Sequence, residues 1–585
     1  MKMKKILLSL LIVFSLNSII FSQVSCNPDD EFYQFVEKWE IEGLIEKQLP
    51  LRPFSVERVK AILEKVENSS DKKNAETASM LRKKYFEKKA NISLDINNFL
   101  KFNEKTNEYF FVNYRLFGDI NFNSIFGLSY NLGGLSRYGN ANYPYHEREN
   151  FTKTDGFLTG NIFHSPEVDS LFSAEYKNFY FFAGINHISF GPFLGDNITF
   201  SSDAKHTGNF AIGYKGKKIS YTNLMSVLTA ESGWNKDRMI YTSHSPEKYL
   251  FIQSYDYNFT NNFSMSFYQT VILGARFETL YFIPMLYVIT EGISGYNRDN
   301  IFYGITSSYR AFDQLVFKTN FYVDDVGFYD ADGNIDFNGT VKMRCALQSG
   351  LTWTAPEISW LDKLSLNYTL VAPYMYTHVS EYGNEEENYT LLPTNYQIYM
   401  TANSKLGTNL EPNSDRIVLS SRIAPLKNLT VDLNASFVRH ANINENITKE
   451  EALSYLNAEK GMYKTDGSIY NTPYVPCYDV NKASPWLTTR FLAQDTIEYT
   501  YNIGFDALYT FPRTKYGTFS LGIGYTFEYI KNYGVTRDLF PGSKTESTTS
   551  EYLTLEDVDK AIAVWKAGLR DVFSNYFRIK VKYTF

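Results

Sequence analysis

The sequence predicts an all-β transmembrane barrel of about 18 antiparallel strands, with 16 as the fallback, preceded by a small N-terminal α-helical bundle. Three observations carry this. From about Asn91 to Phe585, apolar and polar residues alternate with period two. The connections between these runs alternate between short and long, as they do when a chain crosses a membrane as hairpins. Residues 27–90 instead carry apolar stripes at helical spacing.

The end of the chain is the clearest strand. Phe577, Ile579, Val581, Tyr583 and Phe585 fall on one parity, and Arg578, Lys580, Lys582 and Thr584 on the other. Such a strand has one face suited to lipid and one suited to water. It resembles the terminal strand by which outer-membrane barrels are recognised for insertion. The expected partners are therefore outer-membrane lipid and the barrel insertion machinery. At the other end, Lys2, Lys4 and Lys5 precede the apolar run Ile6 to Phe21, and Asp29, Asp30 and Glu31 follow. Residues 1–22 thus read as an export signal, cleaved after Ser22. Cys26 offers a lipidated amino terminus as an alternative, although Gln23 stands where a lipobox has Leu. The location implied is the outer membrane of a two-membrane bacterium, with both mature termini periplasmic.

Composition agrees. The 585 residues include 46 Tyr and 46 Phe, yet mean hydropathy is -0.30, which suits strands that are apolar on alternate positions only. Beyond the signal no apolar stretch reaches the roughly 20 residues of a spanning helix. Losing Lys2, Lys4 and Lys5 with the signal takes the formal charge from -6 to -9, and nucleic acid is excluded as a partner. Cys26, Cys345 and Cys477 make no disulfide framework, leaving at most a bridge between Cys345 and Cys477.

In chain order, Phe32, Phe35, Val36 and Trp39 form the stripe of a first helix that Gly43 ends. Ser55 caps a second helix with Val59, Ile62, Leu63 and Val66 on one face, and Ala78, Leu81 and Tyr85 align on a third, from about Asp71 to Lys88. This three-helix segment, 27–90, is expected in the periplasm, and 91–585 forms the barrel. Among its strands, Leu429 to Phe437, Ile497 to Phe511 and Phe519 to Tyr529 alternate most cleanly. Counting back from the terminal strand, the connection 531–572 is long, 512–516 short, 441–496 long, 425–428 short, 379–413 long and 356–363 short. Two long connections carry helix signals: Thr448 to Gly461, and Thr554 to Gly568 with Leu555, Val558, Ile562 and Trp565 on one stripe.

The block Ala183 to Asp196, with Gly184, Phe190, Gly191, Pro192, Gly195 and Asp196, followed by Ile198 to Ser202, resembles the strand-turn motif of Wzi-type capsule assembly proteins. Gly43 to Ile45 with Leu51 to Ser55 is similar to that family's periplasmic helical segment, and Phe282 to Met285 with Asn297 to Asn300 to its later barrel motif. Phe193 stands where the family has Gly, and the second half of the chain carries no motif that aligns. The resemblance implies an 18-stranded outer-membrane barrel with a periplasmic bundle, lectin-like, that holds or organises surface polysaccharide.

Rings that could stack on sugars are Tyr138, Tyr143, Tyr145, Tyr374, Tyr376, Tyr382 and Tyr389, all read as lying at or beyond outer strand ends. The same residue type also builds the aromatic girdles of such barrels. Asp330 to Asp336 spaces four oxygen side chains but has Ile335 where a calcium loop has Gly, so it reads as a solvated turn. Asp324 and Asp325 read as lumen-rim charges. The seven histidines are scattered without metal spacing, so neither metal nor cofactor is expected. With no nucleophile elbow or phosphate loop, the function expected is non-enzymatic, with a porin-like solute channel as the alternative.

Overall fold

The computed structural model describes residues 27–585 apart from 87–90, 104–105, 139–156, 236–239, 295–298, 313, 330–339, 356–357, 359, 378–393, 403, 427, 447–489 and 536–554. The expected export signal, Cys26, Cys477, the 448–461 helix and the Asp330 turn lie outside these residues.

Three helices open the described chain: α1 (Glu31–Ile41), α2 (Val56–Glu67) and α3 (Lys72–Phe86). The Asp30 side chain caps α1 by accepting from Phe32 N, and Ser55 Oγ caps α2 by accepting from Arg58 N at 3.2 Å. Their stripes meet in one core around Phe32, Trp39, Leu63 and Leu81, all fully buried. Trp39 Nε1 donates to Asn74 Oδ1 at 3.0 Å, so even the indole is satisfied.

Eighteen long antiparallel strands close the barrel, with two short pieces at 157–159 and 394–395 added to it. They are β1 (Asn91–Phe102), β2 (Thr106–Asn121), β3 (Phe126–Tyr138), β4 (Ile162–Tyr176), β5 (Phe179–Asn186), β6 (Thr207–Lys215), β7 (Ile219–Asn235), β8 (Ile240–Asn258) and β9 (Phe263–Gly274). The second half comprises β10 (Asn300–Ala311), β11 (Leu315–Tyr329), β12 (Thr340–Trp353), β13 (Leu361–Val371), β14 (Ser414–Leu426), β15 (Leu429–Ala441), β16 (Ile497–Thr510), β17 (Thr518–Tyr533) and β18 (Arg570–Thr584). Closure comes where Ser93 on β1 pairs with Thr584 on β18. In β18, Phe577 and Ile579 face outward, half exposed, while Lys580 Nζ lies 3.1 Å from Asp95 on the lumen side. Val581 and Tyr583 share the outward parity, and Phe585 N donates to Ile92 O at 2.9 Å, tying the terminus to β1. A helix, α5 (Leu555–Ala567), stands between β17 and β18.

Short turns between β4 and β5, β6 and β7, β8 and β9, and β10 and β11 lie at the end of the barrel where the bundle docks. Lys318 on β11 donates to Glu37 Oε1 at 2.6 Å and Lys363 on β13 to Glu37 Oε2 at 2.9 Å. Arg58 pairs with Glu175 beside the β4–β5 turn at 2.8 Å. Arg310 donates to Glu40 O at 3.1 Å. The wall therefore grips α1 and α2 from several sides.

The connection from β9 to β10 does something the sequence did not suggest. It folds back over the outside of the wall, where α4 (Tyr287–Ser294) and the turn Thr279–Phe282 cover Phe251, Val271 and Leu273. These residues have the parity opposite to Leu250, Ile252 and Ile272, which face the lumen core. On the same outward face Asn223, Gln253 and Gln269 form a cross-strand row, fully buried. Gln253 Nε2 donates to Tyr281 O at 2.9 Å and Ile283 O at 2.8 Å, and Gln269 Nε2 to Met285 O at 2.7 Å. Backbone that leaves regular structure in an apolar medium must find such partners. Leu286, Ile289 and Ile293 then face outward, 43%, 48% and 63% exposed, continuing the apolar exterior. Tyr281 O also accepts from Asn223 Nδ2 at 3.4 Å and Ile283 O from Met285 N at 2.8 Å, so Gln253→Leu is expected to remove one of two donors from each carbonyl, at about 0.5–1.5 kcal/mol per bond; faster protease cleavage within 279–294, with the barrel intact, is the outcome to look for.

Candidate functional site

The lumen is divided. Along β4 to β13 it is filled by a wedge made of residues 187–206, 372–377, 394–402 and 404–410. Phe190 and Phe200 exchange backbone hydrogen bonds at 2.9 and 3.3 Å. Tyr376 Oη donates to Ile198 O at 2.6 Å and Tyr399 Oη to Thr199 O at 2.7 Å. Lys248, fully buried, donates to Ile398 O and Met400 O at 2.8 and 2.7 Å. Around these bonds Tyr268, Phe302, Tyr322, Tyr376 and Tyr399 pack, stacked, tilted or edge-on, with ring centroids 5.0–6.4 Å apart. Hydrogen bonds between buried polar atoms and dense aromatic packing make this half a protein core rather than a channel.

The block that carried the family resemblance forms the heart of the wedge. Gly184 on β5 lets the chain pass Ser170 O so closely that a Cβ would come within 1.9 Å of it. Gly191 has φ +143° and leaves room for Asn197, whose Oδ1 a Cβ would meet at 2.3 Å. Asn197 Nδ2 then donates to Ser189 Oγ and Phe193 O at 2.9 and 2.8 Å. Gly195 has a positive φ too, and Asp196 accepts from Thr408 Oγ1 at 2.7 Å, from Asn409 N at 3.2 Å and from Arg416. Arg52, between α1 and α2, donates to Gly191 O at 3.0 Å and to Phe193 O, while Leu51 and Arg52 pair with Phe190 and Ser189 as a two-residue ladder. Gly191 N, which precedes Pro192, donates to Pro50 O. The helical segment and the wedge are thus one connected body.

Along β14 to β18 the lumen keeps a polar cavity of about 860 Å³. Its lining carries six carboxylates (Asp203, Glu411, Asp432, Glu498, Asp506, Glu528) and five cations (Lys363, Lys405, Arg416, Arg422, Arg578). Most are paired: Arg422 with Asp432 at 2.6 and 2.8 Å, Arg578 with Asp506, Lys405 with Glu411. A near-neutral wall of paired charges, hydroxyls and amides offers hydrogen bonds to a hydrated, polyhydroxylated chain and no strong sign selectivity. At the bundle end, Arg422 donates to Gln34 of α1, which floors the cavity.

The expected stacking tyrosines fare differently. Tyr374 and Tyr376 are not loop rings; they are 2% and 3% exposed inside the wedge. The described parts of the connection that follows β13, read as a long outer loop, pack into the lumen because their aromatics find partners there. Tyr138 closes β3 on the outward parity of Phe126 and Leu132, opposite Phe110, and so stands among the exterior rings. Tyr143, Tyr145, Tyr382 and Tyr389 lie outside the described residues. Asp324 and Asp325 are strand residues at a bulge in β11, with Arg344 against both. Cys345 is a free thiol.

Fold and lumen together define a plugged, eighteen-stranded transmembrane barrel. Among solved structures it is similar to Wzi, described as an outer membrane protein involved in group 1 capsule assembly in Escherichia coli and a carbohydrate-binding β-barrel. The TM-score is 0.50 at 10% identity, covering 96% of this chain and 99% of that one. The Wzi resemblance read from the sequence is thus matched at the level of the fold. OprD of Pseudomonas aeruginosa gives 0.38 at 11% identity over 85% of this chain and 95% of that one, and OccAB1 of Acinetobacter baumannii 0.39 at 10% over 85% and 96%. No family model matches the chain, and no curated protein matches it.

Proposed function

We propose that this protein is a non-enzymatic outer-membrane barrel that binds or organises capsular or extracellular polysaccharide at the cell surface, with the bundle and both mature termini in the periplasm. The supporting observation is the occupied lumen: the wedge inside the wall and the bundle docked at its end form one hydrogen-bonded body, which among the described residues leaves the polar lane beside it. The carbohydrate binding stated for Wzi is the matching precedent. A deletion strain is expected to release surface glycan into the medium while making it at the normal rate. Unchanged cell-bound glycan in that strain would sink the reading.

The polar cavity of about 860 Å³ favours one alternative, a solute channel. Planar-bilayer conductance separates the two, because large, stable openings of the intact protein belong only to the channel.

A further inference from the structure

The histidines that look scattered in sequence do not remain so in the fold. Asp169 on β4, His187 just after β5 and His206 just before β6 bring one ligand atom each to within 4.8 Å of one another. The place is structurally distinct: β5 stops at Asn186 and β6 begins at Thr207, while the neighbouring β4 and β7 run on to Ile162 and Asn235. The wedge loop 187–206 leaves and re-enters the wall here, with one histidine at each of its ends.

Two of the three side chains are already oriented. Asp169 is 4% exposed; Asn131 Nδ2 donates to its Oδ2 at 2.9 Å, and its Oδ1 is buried without a hydrogen-bond partner. A buried carboxylate oxygen with nothing to accept from is costly unless a cation completes it. His187 Nδ1 lies 2.9 Å from Ala204 O. A carbonyl only accepts, so Nδ1 carries the proton and Nε2 holds the lone pair, the second-sphere arrangement that prepares an imidazole for a metal. The His206 ring stands 5.8 Å from the His187 ring at 86° and is exposed.

We propose that Asp169, His187 and His206 bind a divalent transition-metal ion of the zinc class, which staples both ends of the wedge loop to the barrel wall. Two imidazoles and one carboxylate select such an ion over calcium or magnesium. Zinc–ligand bonds of about 2.0–2.2 Å draw the donors to roughly 3.4 Å apart, a closure of at most about 1.4 Å from the 4.8 Å within which they lie. Three protein ligands leave a fourth position for water or a donor atom from a bound molecule.

The test uses the untagged, full-length protein in detergent, stripped with chelator and titrated with Zn²⁺ against a chromogenic competitor. One tightly bound Zn²⁺ per chain is expected, unaffected by excess Ca²⁺. His206→Ala and His187→Ala should each weaken binding by roughly tenfold or more, since even outer-sphere changes cost that much, while His164→Ala should bind as the wild type does. His206 is exposed, so its variant retains the fold, checked by the heat-dependent gel mobility of the barrel. Absence of stoichiometric Zn²⁺ in the wild type, or wild-type affinity in both histidine variants, would overturn the site.

Discussion

Glu37→Ala is expected to loosen the bundle from the barrel by about 3–5 kcal/mol, the range for removing one partner of a buried ion pair. Glu37 is 8% exposed and Lys318 5%, and Lys363 completes a triad in which one carboxylate serves two ammonium groups. Removing the carboxylate leaves Lys318 buried without its counter-charge. The Glu31–Lys84 pair at 2.6 Å is the internal control: both side chains are 40% exposed or more, so Glu31→Ala should cost about 0–1 kcal/mol. Hydrogen exchange across α1, or protease access to 31–67, reads both. The pH dependence has a defined sign. Burial works to raise the Glu37 carboxyl, but the Lys318 and Lys363 ammonium groups outweigh it and hold it well below the usual carboxylate range. Its contribution is therefore complete above the free-carboxyl value of about 4.3 and lost as pH falls below it. Docking should be steady from neutral pH to about pH 5 and weaken on further acidification, and the Ala variant should lack that dependence.

How far the sequence could be read follows from what carries each feature. The wall was legible because lipid outside and lumen inside impose period two, and Phe577 to Phe585 fixed the phase. Helix α1 was legible through its stripe and α2 through its Ser55 cap and stripe, whereas the Asp30 cap of α1 was not read. The wedge was not. Tyr374 and Tyr376 sit in short irregular pieces whose only regularity is tertiary, so they read as loop aromatics, and their partner Tyr399 was not singled out. A signal did exist in the wall facing them: Leu250-Phe251-Ile252 and Val271-Ile272-Leu273 are apolar on both parities, the mark of strands covered on both faces. One parity there meets the wedge and the other meets the exterior segment 279–294. The Asp169, His187 and His206 cluster left no local trace, since its members stand 18 and 19 residues apart, one on β4 and one at each end of the loop 187–206.

The intact protein is expected to be nearly silent in planar bilayers, and a variant lacking residues 27–86 should conduct steadily. Among the described residues the wedge fills the lumen along β4 to β13, so current is expected through the polar lane along β14 to β18. That lane is floored at the bundle end by Gln34 against Arg422, with Glu37 holding Lys363 beside it. Taking the bundle away opens the floor but leaves most of the wedge, whose bonds among Tyr268, Asn320, Thr199 and Tyr399 do not involve α1 to α3. The resulting conductance should therefore be well below that of an empty barrel of this circumference. Glu37→Ala should fall between the two: a docking loss of about 3 kcal/mol raises the undocked fraction about 100-fold, and brief openings should become correspondingly more frequent. Silence in the truncated protein would show that the lane is closed somewhere other than its floor. Conductance in the intact protein equal to that of the truncated one would remove the bundle as a plug and leave the channel reading in possession of the lumen.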